Sequence, residues 1–122
     1  MIKITRDRNT KQQHIEFTRG DTAYLDFDII DDDGNEFLLG ENDIVKCQVR
    51  ESVADDSQLL FEGVMEYADG KATLHIRPED TAGKEVKTYV YDVEVEMENG
   101  DVFTFIPVSN FTLMDESTRK DG

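Results

Sequence analysis

Apolar and polar side chains alternate residue by residue along most of this chain, and that period of two constrains its fold more than any other feature. In an extended strand, successive side chains point to opposite faces, so one set meets a core and the other meets water. Ala23, Leu25, Phe27 and Ile29 are in phase, with Asp26 and Asp28 between them. Val45, Cys47 and Val49 alternate with Lys46, Gln48 and Arg50. Ala72, Leu74 and Ile76 alternate with Lys71, Thr73, His75 and Arg77. Tyr89, Tyr91, Val93, Val95 and Met97 alternate with Asp92, Glu94 and Glu96. Leu59, Phe61, Met65 and Tyr67 share one phase, with Gly63 read as a bulge or bend. Val102–Ile106 reads as a further strand interrupted by Pro107, which points to an edge or a change of sheet. Val108–Met114 closes the domain with Phe111 and Leu113 inward.

The turn residues stand where strands of this length need connections. Asp33-Gly34-Asn35, Asp69-Gly70 and Asn99-Gly100-Asp101 are tight-turn sequences, because glycine tolerates the positive φ that such turns require. They predict hairpins flanked by Ile30 and Phe37, by Tyr67 and Ala72, and by Met97 and Val102. Arg19-Gly20-Asp21 reads as a turn between short strands at Ile15–Thr18 and Thr22–Ile30, not as an integrin ligand. One helical turn fits, near 78–82: Pro78 suits the first helical position, Glu79 and Asp80 suit the positive end, and Gly83 suits the stop. About eight short strands without long helices predict an all-β fold, a sandwich or a barrel; the short strands and the closing strand after a proline break favour the sandwich, and the expectation is an immunoglobulin-like antiparallel β-sandwich.

The chain has 122 residues, enough for one domain with a real core and no staples. Its single cysteine, Cys47, excludes an intrachain disulfide and is expected to be a small buried core residue. No apolar run approaches the roughly 20 residues of a membrane helix. Met1–Gln13 lacks the apolar stretch of a secretory signal, so the expected location is the cytoplasm of the producing cell, or a virion if assembled.

The net charge is −15, which argues against nucleic acid as a partner, since phosphate contacts dominate such binding. The charge is also uneven. Lys3, Arg6, Arg8 and Lys11 against Asp7 leave residues 1–13 at +3, and the remainder at −18. The expected organisation is a basic arm at 1–14, the β-sandwich at 15–115 and a polar tail at 116–122. The arm's four cations are read as a strap that docks on an acidic neighbour, and the edge near Pro107–Phe111 as a second contact. Tyr24 is out of phase with Leu25 and Phe27, so it is expected to face outward beside Ile30 as part of an adhesive patch.

Chemistry-bearing clusters are hard to find. The run Asp31-Asp32-Asp33-Gly34-Asn35-Glu36 is oxygen-rich, yet counted from Asp31 it has Glu36 where a calcium-binding EF-hand loop needs glycine. A solvated turn is the expectation, with Asp31, Asp32 and Asp33 the weak candidate for calcium and no metal site otherwise. His14 and His75 have no partner at metal-ligand spacing. No serine sits in a nucleophile elbow, and no glycine-rich loop leads into a helix. The expectation is therefore no enzyme, no catalytic residue and no cofactor.

Several motifs, taken in order, carry a family resemblance. They are Phe17-Thr18-Arg19-Gly20-Asp21-Thr22, the Asp-Asp-Gly-Asn turn at 32–35, Ile76-Arg77-Pro78-Glu79-Asp80-Thr81, Tyr89-Val90-Tyr91-Asp92-Val93, Asn99-Gly100-Asp101 and Phe111-Thr112-Leu113. Together they resemble the immunoglobulin-like N-terminal domain of baseplate upper proteins, found in tailed phages and prophages of Gram-positive bacteria. The resemblance spans residues 15–115. It implies a sandwich that assembles with protein partners in a tail or baseplate, in a homo-oligomer, with no catalytic residues. In that family a longer C-terminal region usually follows, with host-facing modules, so assembly is expected here and host recognition is not. The basic arm is extra to the family's pattern. Two rival readings are a carbohydrate- or protein-binding module of a cell-surface protein, and a small enzyme with a pocket of titratable groups.

Overall fold

The computed structural model describes residues 2–31, 33–54 and 58–115. Among them, eight strands form in chain order: β1 (Ile2–Arg6), β2 (Gln13–Thr18), β3 (Ala23–Asp28), β4 (Ile44–Arg50), β5 (Leu59–Ala68), β6 (Lys71–Ile76), β7 (Thr88–Glu96) and β8 (Val102–Met114). A single helical turn, α1 (Pro78–Thr81), lies between β6 and β7. The strands join in the order β1-β2-β8-β7-β4-β5-β6-β3, one mixed sheet rolled into a nearly barrel-shaped body.

The roll is made by β5. Its first part pairs with β4, from Arg50↔Leu59 to Val45↔Met65, and its last residues pair with β6, from Glu66↔Thr73 to Ala68↔Lys71. The strand thus leaves one ladder and enters another, which brings β6 and β3 across from β7 and β8. The alternating residues then meet in one core: Leu25, Phe27, Val45, Cys47, Val49, Leu74, Tyr91, Val93, Phe111 and Leu113 are all buried. Phe27 faces Tyr91 with ring centroids 6.5 Å apart, and Phe61 meets Phe111 edge-on at 5.9 Å.

Two of the three expected hairpins form as read. Asp69 (φ 55°) and Gly70 (φ 78°) both adopt the left-handed conformation that a two-residue β-turn needs, between β5 and β6. Around Gly100 the Met97 N–H donates to the Asp101 carbonyl at 2.7 Å, closing β7 onto β8. The third stops short. Asp31 Oδ1 accepts the N–H groups of Asp33 and Asn35, and Ile30 bridges Glu36, but no strand follows before β4. The helical turn sits where Pro78 and Gly83 place it, with the Arg77 N–H donating to Asp80 Oδ2 at 2.8 Å. Buried Thr81 accepts the Gly20 N–H at 2.8 Å, so the Arg19-Gly20-Asp21 turn is tied to α1.

Four expectations need correcting. Residues 2–6 are not a free arm: β1 pairs antiparallel with β2, from Ile2↔Phe17 to Arg6↔Gln13. Ile2 and Ile4 pack against the core, so the same period of two runs through a segment whose cations obscured it. The sheet is not wholly antiparallel, because β2 runs parallel to β8, from Ile15↔Phe111 to Thr18↔Met114. Parallel neighbours need a long connection, and here nearly the whole chain supplies it. Val102–Met114 is one strand, with an extra residue accommodated near Pro107, where Tyr91↔Ser109 is followed by Val93↔Ile106. A proline without an N–H is tolerated at such a bulge. Gly63 lies in regular pairing opposite Cys47, and the register shift falls instead between Val49 and Arg50, which leaves Leu59 exposed.

What Gly63 supplies is space. A Cβ there would lie 2.4 Å from Cδ1 of buried Leu74. Gly63→Ala is expected to cost about 1–3 kcal/mol, as overpacking does. A lowered urea midpoint with unchanged slope checks this, and adding Leu74→Val should recover part of the loss.

Candidate functional site

A cleft of about 600 Å³ opens at one end of the body. It lies between the β1–β2 connection, the segment after β3 and the first half of β8. Its apolar wall is a cluster of three phenylalanines: Phe37 is 5.6 Å from Phe103 and 5.0 Å from Phe105, ring to ring. Phe103 is 44% exposed and Ile30 is 48% exposed, so the cluster is open to solvent on one side. Phe103 stands opposite buried Val95 and is thus on the inward phase of β8. It stays exposed because β3 ends at Asp28 and no strand continues that layer beyond it.

The edge of β8 changes character along its length. At Phe111–Met114 it is covered by β2. Over Val108–Asn110 the covering is done by side chains: Gln12 Nε2 donates to the Val108 carbonyl at 2.9 Å, the Gln13 N–H to Ser109 Oγ at 3.1 Å, and the Asn110 N–H to His14 Nδ1 at 3.1 Å. From Val102 to Pro107 no strand pairs with that edge among the described residues. The expected contact edge near Pro107–Phe111 is therefore displaced toward the start of the strand.

The four basic residues do not lie together on one free segment. Lys3 is on β1, opposite Glu16 of β2. Arg6 ends β1, and Arg8 and Lys11 lie in the connection that follows. That connection is shaped by Asp7, whose Oδ1 accepts the Asn9 and Thr10 N–H groups, and by Lys11 in a left-handed conformation (φ 66°). Arg6, Arg8 and Lys11 all line the cleft, and Lys3 does not. Tyr24 faces outward as expected, 67% exposed, and stacks on His75 of β6 at 4.3 Å. It is not beside Ile30, which lies past the other end of β3 at the cleft.

Asp31 spends its carboxylate on the turn, Asp33 is exposed, and Asp32 lies outside the described residues. Among the described residues no group of three His, Cys, Asp or Glu side chains is arranged to hold a metal ion. Cys47 is buried as expected, and burial pushes its thiol well above the ordinary range. Among the described residues no helix is long and apolar enough to cross a membrane. The phenylalanine cluster was not recognisable as a site in the sequence, since Phe103 and Phe105 read as ordinary core residues and Phe37 as a strand start. No protein-family model matches the chain, and no curated protein matches it either.

The outer face of β7 is acidic, and one of its members is under strain of a simple kind. Asp92 is half-buried, and that burial raises its carboxyl above the usual range; Glu94 adds to the rise, while Arg50 and Lys46 oppose it. A carboxyl whose folded pKa is raised is penalised when ionised. The penalty is complete above the folded pKa and vanishes below the unfolded one. Asp92→Asn is therefore expected to stabilise the protein at neutral pH, with the gain disappearing as the pH falls below the ordinary carboxylate range. Thermal melts of both proteins across that range measure it.

Proposed function

We propose that this chain is an immunoglobulin-like structural module that works by protein–protein assembly, in the tail or baseplate of a phage or prophage. The observation that carries the assembly reading is the cleft, where a half-exposed Phe103 and the partly buried Phe37 and Phe105 lie beside an unpaired strand edge. Exposed aromatic area rimmed by charge is typical of partner surfaces, and an unpaired edge is a ready template for another chain. The placement in a phage tail rests on the ordered motifs between Phe17 and Leu113 that resemble baseplate upper proteins. The reading assigns the chain no reaction and no cofactor. It has the chain made in the cytoplasm of the producing cell and carried into the virion.

Two features support the immunoglobulin-like reading of the β-fold. The pairings β3–β6 and β4–β7–β8, with β2 parallel to the end of β8, follow the strand pattern of an immunoglobulin variable domain. Tyr89, at the start of β7, donates its hydroxyl to the Glu85 carbonyl at 2.7 Å, the arrangement known in such sandwiches as a tyrosine corner. The Phe27–Tyr91 ring pair then stands between the layers where many relatives of that fold carry a disulfide.

A second reading, a carbohydrate- or protein-binding module, draws on Tyr24 alone, whose exposed ring stacked on His75 offers a small flat platform. Particles sedimented from an induced culture of the source strain decide between them. The first reading expects this chain in stoichiometric amounts in the tail fraction, by mass spectrometry. Its absence from intact particles, together with glycan-array binding that Tyr24→Ala abolishes, would favour the second.

A further inference from the structure

We propose that the cleft between the β1–β2 connection and the first half of β8 binds an extended, acidic segment of a partner polypeptide, which pairs with the open edge and covers the phenylalanine cluster. This deepens the assembly reading by naming the surface and the chemistry of what it holds.

Three observations converge. The first is the edge. β8 has neighbours on both sides only where β2 reaches, so its Val102–Pro107 stretch has one side without a strand partner among the described residues. An extended chain added there gains backbone hydrogen bonds without demanding a particular sequence. The second is the apolar wall of Ile30, Phe37, Phe103 and Phe105, whose rings lie next to that edge and are incompletely covered. An alternating segment would turn every second side chain onto this wall.

The third is the distribution of charge, and it selects the occupant. Three acids line the cleft, and each is already engaged. Asp7 and Asp31 accept backbone N–H groups of their own turns, and Asp28 pairs with Lys71 at 3.0 Å. By contrast, no hydrogen bond or ion pair engages the Arg6 or Arg8 side chain among the described residues. A chain of net charge −15 thus holds two guanidinium groups in reserve at the rim of this cleft. Planar guanidinium groups match carboxylates with paired hydrogen bonds, and a segment bearing Glu or Asp at alternate positions would meet them while its other side chains face the rings. A basic segment would be repelled locally by Arg6 and Arg8 at the rim, and a neutral one would leave these cations uncompensated.

The test uses the full chain and fluorescein-labelled short peptides, read by anisotropy. One peptide alternates Glu with Leu, a second Lys with Leu, and a third is the Glu–Leu peptide with every backbone amide N-methylated. Saturable binding of the Glu–Leu peptide is expected, weakening with added salt. The double variant Arg6→Glu/Arg8→Glu, with fold checked by circular dichroism, should weaken it by about tenfold or more, since it reverses the charge facing the peptide. The same variant should bind the Lys–Leu peptide better than the unaltered chain does. N-methylation should abolish binding, because it removes the donors that edge pairing uses. Equal binding of the acidic and basic peptides, indifference to the arginine changes, or retained binding of the N-methylated peptide would each overturn the proposal. So would concentration-dependent dimerisation of the chain alone that blocks the cleft, which would make the occupant a second copy. None of these outcomes bears on whether the chain is found in tail particles, so the two readings fail separately.

Discussion

The structure depends on one strand serving two ladders. β5 begins against β4 and ends against β6, and without that change of partner the eight strands would lie in one open layer with an apolar face in water. The change requires the two ladders to approach closely where they meet, and Gly63 makes the approach possible by leaving its inner position to Leu74. Once the layers face each other, the alternating residues need no further instruction. Tyr91 finds Phe27 and Phe111, and the valines of β4 and β7 fill the space between.

The two ends of the body are finished differently. At one end the turns are stitched together: Gly20 to Thr81, Arg19 to the Lys84 carbonyl at 2.8 Å, and Tyr89 to Glu85. Hydrogen bonds of this kind stabilise by about 1 kcal/mol each and, more to the point, fix the loops to one another. At the other end the layer containing β3 stops early, the connection to β4 runs without a strand, and aromatic rings are left half-covered. The domain is thus held firmly at one pole and left open at the other.

Much of this was legible in the sequence, and the reasons for the gaps are physical. Period-two alternation reports which residues face inward, and Leu25, Val49, Leu74 and Val93 are all buried as that period requires. Turn chemistry is similarly local, which is why Asp69-Gly70 and the Pro78 turn fall where they were read. Alternation says nothing about which strand lies beside which, or in what direction, so the parallel β2–β8 pair was invisible. Charge masks the pattern in one place: four cations among the first residues obscure the in-phase Ile2 and Ile4, so a sheet strand reads as an arm. The cleft could not be read at all. Its apolar wall joins Phe37 to Phe103 and Phe105, residues far apart in the chain that the sequence gives no reason to associate.

Cys47 sits in the middle of this interior, in the ladder between Gly63 and Val93, with its thiol shielded from solvent and held in the protonated form. Thiolate is the reactive species, so electrophilic reagents pass the folded molecule by. Any cysteine engineered onto the outside becomes the single addressable handle, with no need to remove the native one. Spin labels or dye pairs attached that way could report how the unfinished pole moves relative to the stitched one, in a background that stays chemically silent until the molecule unfolds.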